Sequence, residues 1–249
     1  MYHLKSFVVV LTLSLATAGD ALGGLLVIPG DVGDGTVDVN GLPQDFSLTQ
    51  LRPGVGGNNV RGLASIFFFA LPDISSPATL VGATLRIQFL DITRASIVTI
   101  PEFNVDLFGL GARSSPTILC SDYFDGDSSL SSDTLIAKSF ITPSTSPGSL
   151  SVSGGTLLSF LTSLYNPDGT PIAAYVVFRA NPDVHLPEHS GQYRGYELAS
   201  ADNADSTFVP RLDLNIVTPE PASIVSLSLG ILALAGASWR RANFLGIAK

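Results

Sequence analysis

Three carboxylates gather in the stretch Asp122-Tyr123-Phe124-Asp125-Gly126-Asp127, with Asp133 shortly beyond. Oxygen donors at that density suit Ca²⁺, so Asp122, Asp125 and Asp127 are candidate calcium ligands, and calcium is the one cofactor the sequence offers. A plain solvated turn is the competing reading. A second acidic stretch, Asp31-Val32-Gly33-Asp34-Gly35-Thr36-Val37-Asp38, superficially resembles a calcium loop but fails in register. With Gly35 as the turn glycine, Gly30 and Val32 fall on early ligand positions. His185 and His189 stand four apart around Glu188. On a helix that spacing would set two imidazoles on one face for a metal, but Pro182 and Pro187 argue against a helix, and a solvated loop is expected.

Catalytic patterns are sparse. No G-x-S-x-G nucleophile turn occurs. Glu102, Glu188 and Glu197 are the only glutamates between the two terminal segments, and spacing alone pairs none of them across a cleft for glycoside hydrolysis. Cys120 is the single cysteine, so no intramolecular disulfide forms. It is expected as a small buried residue in the strand-like run Ser115–Cys120. Tyr123, Phe124, Tyr165, Tyr193 and Tyr196 are candidates for a sugar-stacking platform. The expectation is a non-enzymatic protein.

Charge narrows the partners further. The formal net charge is −8, and residues 19–218 alone carry −11, with Lys138 their only lysine. Phosphate binding needs clustered Lys and Arg, so nucleic acid is excluded as a partner.

The elements that must position these residues read as strands. Short apolar runs alternate with turn clusters through residues 25–217. Expected strands are Gly35–Asn40, Leu63–Ala70, Ala83–Leu90, Val105–Gly109, Ser115–Cys120, Leu135–Phe140, Ala173–Arg179, Tyr193–Ala199 and Arg211–Val217. Leu85-Arg86-Ile87-Gln88-Phe89 alternates with the two-residue period of a half-buried strand. Turn formers separate the runs, among them Asn166-Pro167-Asp168-Gly169. One helix is expected at Thr156–Tyr165, where Leu157, Leu161 and Leu164 share a face. The fold class is all-β: a single β-sandwich of jelly-roll type with one short helix.

Both termini read as addresses. Lys5, the apolar Phe7–Leu15 and the small residues Ala16 and Ala18 form a secretory signal peptide over 1–18. Cleavage is expected after Ala18 or after Ala21. At the other end, 222–239 is an uncharged run of 18 residues, about 27 Å long as a helix and so close to the hydrocarbon thickness of a bilayer. Trp239 closes it, and Arg240 and Arg241 open a basic tail, 240–249, expected on the cytoplasmic side.

Pro219-Glu220-Pro221, the apolar helix and Arg240-Arg241 stand in the order of the PEP-CTERM sorting signal of Gram-negative bacteria, which residues 218–249 resemble. That resemblance implies export through the Sec translocon, removal of the leader by signal peptidase, and brief tethering in the inner membrane by the C-terminal helix. An exosortase would then cut near Pro219-Glu220-Pro221 and release the body to the cell surface or extracellular matrix, in contact with polysaccharide. The middle is similar to the DNRLRE-type jelly-roll domains of bacterial surface and cell-wall proteins. The similarity lies in Arg61–Pro72, Leu80–Ile87, Leu157–Asn166 with Gly169, and Ala199–Asp202 followed by Pro210–Leu214. It implies a fold and a surface setting, with a structural or adhesive role or, alternatively, a carbohydrate- or calcium-binding module.

Overall fold

The computed structural model describes residues 22–31, 33–38, 43–44, 50–55, 62–74, 78–94, 102–124, 131–185 and 194–218. Gly23–Thr218 forms one compact unit. Its strands are β1 (Leu22–Pro29), β2 (Gly35–Asp38), β3 (Pro43–Gln44), β4 (Gln50–Leu51), β5 (Gly54–Val55), β6 (Gly62–Ala70), β7 (Thr79–Arg94), β8 (Val105–Arg113), β9 (Thr134–Ile141), β10 (Gly148–Ser153), β11 (Tyr175–Pro182), β12 (Arg194–Ala199) and β13 (Arg211–Thr218). One α-helix, α1, spans Gly155–Thr162. The fold is all-β, as composition and turn spacing lead one to expect.

The long strand β7 organises one half of the sheet. Its sequence alternates, and Ala83, Leu85, Ile87 and Phe89 are buried while Thr84, Arg86 and Gln88 between them are only partly so. Successive side chains on a strand point to opposite faces, so the pattern places one face on the core. Arg86 pairs with Ser151 of β10 and with Arg211 of β13. Phe89 pairs with Gly148 of β10 and with Leu198 of β12. Strand β10 therefore lies on one edge of β7, while β12 and β13 follow each other along the opposite edge. They act as one long antiparallel partner interrupted by residues 200–210.

The other half runs β2-β6-β11-β8-β9, antiparallel throughout. Strands β5 and β12 join it to the first half, and all the strands lie on one hydrogen-bonded network. Phe67 and Phe69 of β6, Val176 and Phe178 of β11 and Leu107 of β8 meet the β7, β12 and β13 side chains in one core. Helix α1 joins that core through Leu157, Phe160 and Leu161. Phe160 lies edge-on to Phe178, centroids 5.7 Å apart, and sits where a Cβ on Gly109 would be. Each of these large apolar side chains contributes about 1.5–3 kcal/mol by leaving water.

Strand β6 is buried on both faces from Gly62 to Phe69. Its second face carries Ala64, Ile66 and Phe68, which join Val37 and Val177 in a smaller cluster covered by Ile118 and Tyr123. This cover explains one difference from the sequence reading. Ser115–Cys120 is not a strand: it crosses over β6 and β11 and turns Ile118 inward, and Cys120 opens a 3₁₀ turn, Cys120–Asp122. Cys120 is consequently exposed rather than buried. Strands β1 and β10 go beyond the expected set: β10 has a Gly- and Ser-rich sequence with little β propensity of its own, whereas β1 carries an apolar strand signal in Leu25–Ile28 directly after the leader.

Candidate functional site

A groove of about 530 Å³ opens between the end of α1, the start of β7 and the turn after α1. It is lined by Ile74, Ala78, Thr79, Leu80, Thr162 and the run Tyr165–Gly169. The turn is the Asn-Pro-Asp-Gly sequence, and its shape follows from those residue types. Asn166 N–H donates to the Thr170 carbonyl at 2.8 Å and Gly169 N–H to the Asn166 carbonyl at 2.9 Å. Asp168 Oδ1 accepts from Thr170 N–H at 3.0 Å and from its hydroxyl at 2.7 Å, which holds the Asp168 carboxyl below the usual carboxylate range. Gly169 has φ +84° and lies against the Ile74 carbonyl where no Cβ fits, so glycine is required there. Ile74 N–H donates back to the Gly169 carbonyl at 2.9 Å. The groove wall is thus fixed from both sides.

Tyr165 is the groove's aromatic side chain. Its ring packs on the main core, and its hydroxyl is buried without a hydrogen-bond partner. Burial, and then the nearby Asp73 carboxylate, push the phenol up to about 12. The group stays protonated at neutral pH and holds a hydrogen bond to give. An unpartnered buried hydroxyl costs about 1–3 kcal/mol.

A second polar assembly lies on the outer face of β11. Arg179, 1% exposed, stands between Ile66 of β6 and Phe108 of β8 in register. Its guanidinium lies 4.9 Å from the Phe108 ring centre and 5.6 Å from that of Phe124. It pairs with Asp133 at 2.9 Å and donates to the Asp122 carbonyl at 3.2 Å and to Ser131 Oγ at 3.1 Å. Burial lowers its proton affinity and Asp133 partly restores it. Its ordinary value is so high that it remains a cation. These contacts join the 115–124 segment and Asp133 to the sheet.

Asp122, the first candidate calcium ligand, belongs to that assembly. Both its oxygens take bonds from Arg113, and Oδ2 also accepts from Leu119 N–H at 2.8 Å. The side chain is buried and already neutralised. Asp125 and Asp127 lie outside the described residues. Among the described residues, no trio of His, Cys, Asp or Glu is placed to hold a metal.

The remaining candidates disperse. Glu197 pairs with Arg52 at 2.9 Å and accepts a hydrogen bond from the Thr93 hydroxyl. Glu102 pairs with Arg194 at 3.2 Å. Tyr196 is a core residue whose hydroxyl donates to the Phe103 carbonyl at 2.7 Å, so it offers no sugar platform. Phe124 is engaged with Arg179, and Tyr123 closes over Gly62. His185 is exposed in the segment after β11. His189, Glu188, Tyr193, the leader residues Ala16 and Ala18, and the sorting residues Pro219, Glu220, Pro221, Arg240 and Arg241 lie outside the described residues, as does the 222–239 run. Among the described residues no helix is long and apolar enough to cross a membrane.

Arg179 went unsingled in the sequence, although a lone cation inside Tyr-Val-Val-Phe-Arg-Ala is itself a sign of a buried ion pair. No family model matches the chain, and no curated protein matches it.

Proposed function

We propose that this chain is an exported, non-catalytic protein of the cell surface or extracellular matrix, a jelly-roll β-sandwich sorted by its C-terminal PEP-CTERM-like signal. The observation that carries the reading is the tail: Pro219-Glu220-Pro221, the uncharged 222–239 run and Arg240-Arg241. The boundaries of the folded unit support it. That unit spans Gly23–Thr218, and β13 ends at Thr218, immediately before Pro219. Cutting after Ala18 or Ala21 and near Pro219 leaves every strand from β2 to β12 intact and trims nothing from the core. The acidic surface stays soluble and resists nonspecific adsorption to other anions. The work of the released domain is structural or adhesive within a polysaccharide matrix.

The test is the intact mass and fractionation of the protein in a host with and without exosortase. A shed product running from about Gly19 or Leu22 to near Pro219, formed only with the enzyme, is expected. A full-length chain held in the membrane in both hosts would sink the sorting step.

A further inference from the structure

We propose that the uncharged end of the sheet, where β1, β13 and β7 lie side by side, is a surface that rests on a lipid bilayer. This rests on the membrane-tethered stage of the sorting reading above and names the contact made there. Strand β1 is bonded to β13, and β13 to β7. Gly30 N–H donates to the Pro210 carbonyl at 2.7 Å, so β1 ends beside the start of β13. The two strands therefore run in opposite directions, and the first half of β1 flanks the last residues of β13. Val217 pairs with Thr79 and Leu214 with Ala83, which brings the start of β7 to the same end.

That end carries no charge. Leu22–Gly30, Ala78–Leu85 and Leu214–Thr218 contain no Asp, Glu, Lys or Arg, although residues 19–218 carry −11. It does expose apolar side chains: Leu25 is 63% exposed, Leu26 39%, Val27 49% and Val81 51%. Ile28 reaches the core, so by strand alternation Leu25 and Val27 face away from it. Val81 is the residue the register skips, between the Asn215–Gly82 and Ile216–Leu80 pairs. Single exposed aliphatics are ordinary, whereas several on adjoining strands with no charge among them mark a protein or membrane contact.

Chain connectivity decides between those two. Strand β13 ends at Thr218, and the uncharged run begins at Ala222, four residues on and at most about 14 Å away at full extension. With 222–239 in the bilayer, this end of the sheet is held within reach of the membrane interface. A second copy, by contrast, brings a second acidic body that repels the first. A few aliphatic side chains bind a bilayer weakly by themselves, and the tether supplies the effective concentration that makes the contact persist. Cutting near Pro219 removes the tether and frees the domain.

The experiment uses the full chain reconstituted into neutral phosphatidylcholine vesicles, with a fluorophore on one cysteine at a time and doxyl-labelled lipid as quencher. The native Cys120, exposed at the 3₁₀ turn, is the reference site. Leu25→Cys and Val81→Cys are each made together with Cys120→Ser. Flotation with the vesicles reports the tether separately. The expected result is a floating chain whose probes at positions 25 and 81 are quenched severalfold more than the probe on Cys120. Raised salt should not change this, because no charge takes part. Adding Val27→Asp should bring the quenching down to the Cys120 level with flotation unchanged. If Leu25→Cys fails to fold, Val81→Cys decides. A floating chain whose probes at positions 25 and 81 are quenched no more than that on Cys120 overturns the contact and leaves the sorting step standing. Self-quenching that rises with protein per vesicle and ignores doxyl lipid makes a second copy the occupant and also overturns it. A chain that does not float overturns the contact and the tether together.

Discussion

Asp34 shows how one side chain ties loops together at a cost. Its Oδ1 accepts from Phe68 N–H at 2.7 Å, while Oδ2 is buried with no partner. The carboxyl is enclosed although the residue as a whole is partly exposed. Burial raises its pKa well above the usual carboxylate range. The backbone N–H groups of Phe68 and Ala201 oppose this, and Asp31 and Asp202 add to it. The folded chain therefore holds this proton more tightly than the unfolded chain. The resulting stability is full below the ordinary aspartate value and is lost as pH rises through the raised one. Asp34→Asn removes the titration. Urea midpoints measured from about pH 4 to pH 8 should fall more steeply in the natural chain than in the variant, and parallel profiles would refute this. Arg179 has the reverse situation: it is buried but paired with Asp133 and two rings. Removing one partner of such a set costs more than the pair contributes, because the other charge is left stranded.

At the scale of elements, the contact of α1 with β8 is the most exposed to test. Phe160 fills the space over Gly109 that any Cβ would need. Gly109→Ala should push α1 off the sheet and destabilise the protein by about 1–3 kcal/mol, read as a lower denaturant midpoint with an unchanged m-value. An unaffected midpoint would mean that α1 is loosely seated. The groove depends on the same helix, since Thr162 ends α1 and lines it. Strand β7 gives the complementary lesson. Its central alternation, Leu85 to Phe89, is plain in the sequence, but its full extent from Thr79 to Arg94 depends on three partner strands that supply backbone bonds along both edges.

For the whole molecule, the limits of the folded unit, Gly23–Thr218, yield a direct prediction. A chain of Gly23–Thr218 alone should fold and melt in a single cooperative transition with a β-rich circular dichroism spectrum, because among the described residues the core lies within those limits. A molten spectrum without a cooperative transition would show that residues outside them are needed.

The all-β class, the β7 and β6 core runs, the Asn-Pro-Asp-Gly turn and the acidic charge balance were legible in the amino-acid sequence alone. These depend on local quantities: period, turn chemistry and charge. It also placed Tyr165 among the aromatic candidates, though beside four others of equal standing. Only the tertiary structure separated them, sending Tyr196 into the core, Phe124 onto Arg179 and Tyr165 to a groove. The same holds for Asp122, whose composition suggests a cation site and whose surroundings give it Arg113 instead. Which face of a strand is covered, and by what, depends on contacts between residues far apart in the chain, such as Arg179 and Asp122. No local pattern encodes that, because burial and charge pairing are properties of the assembled neighbourhood.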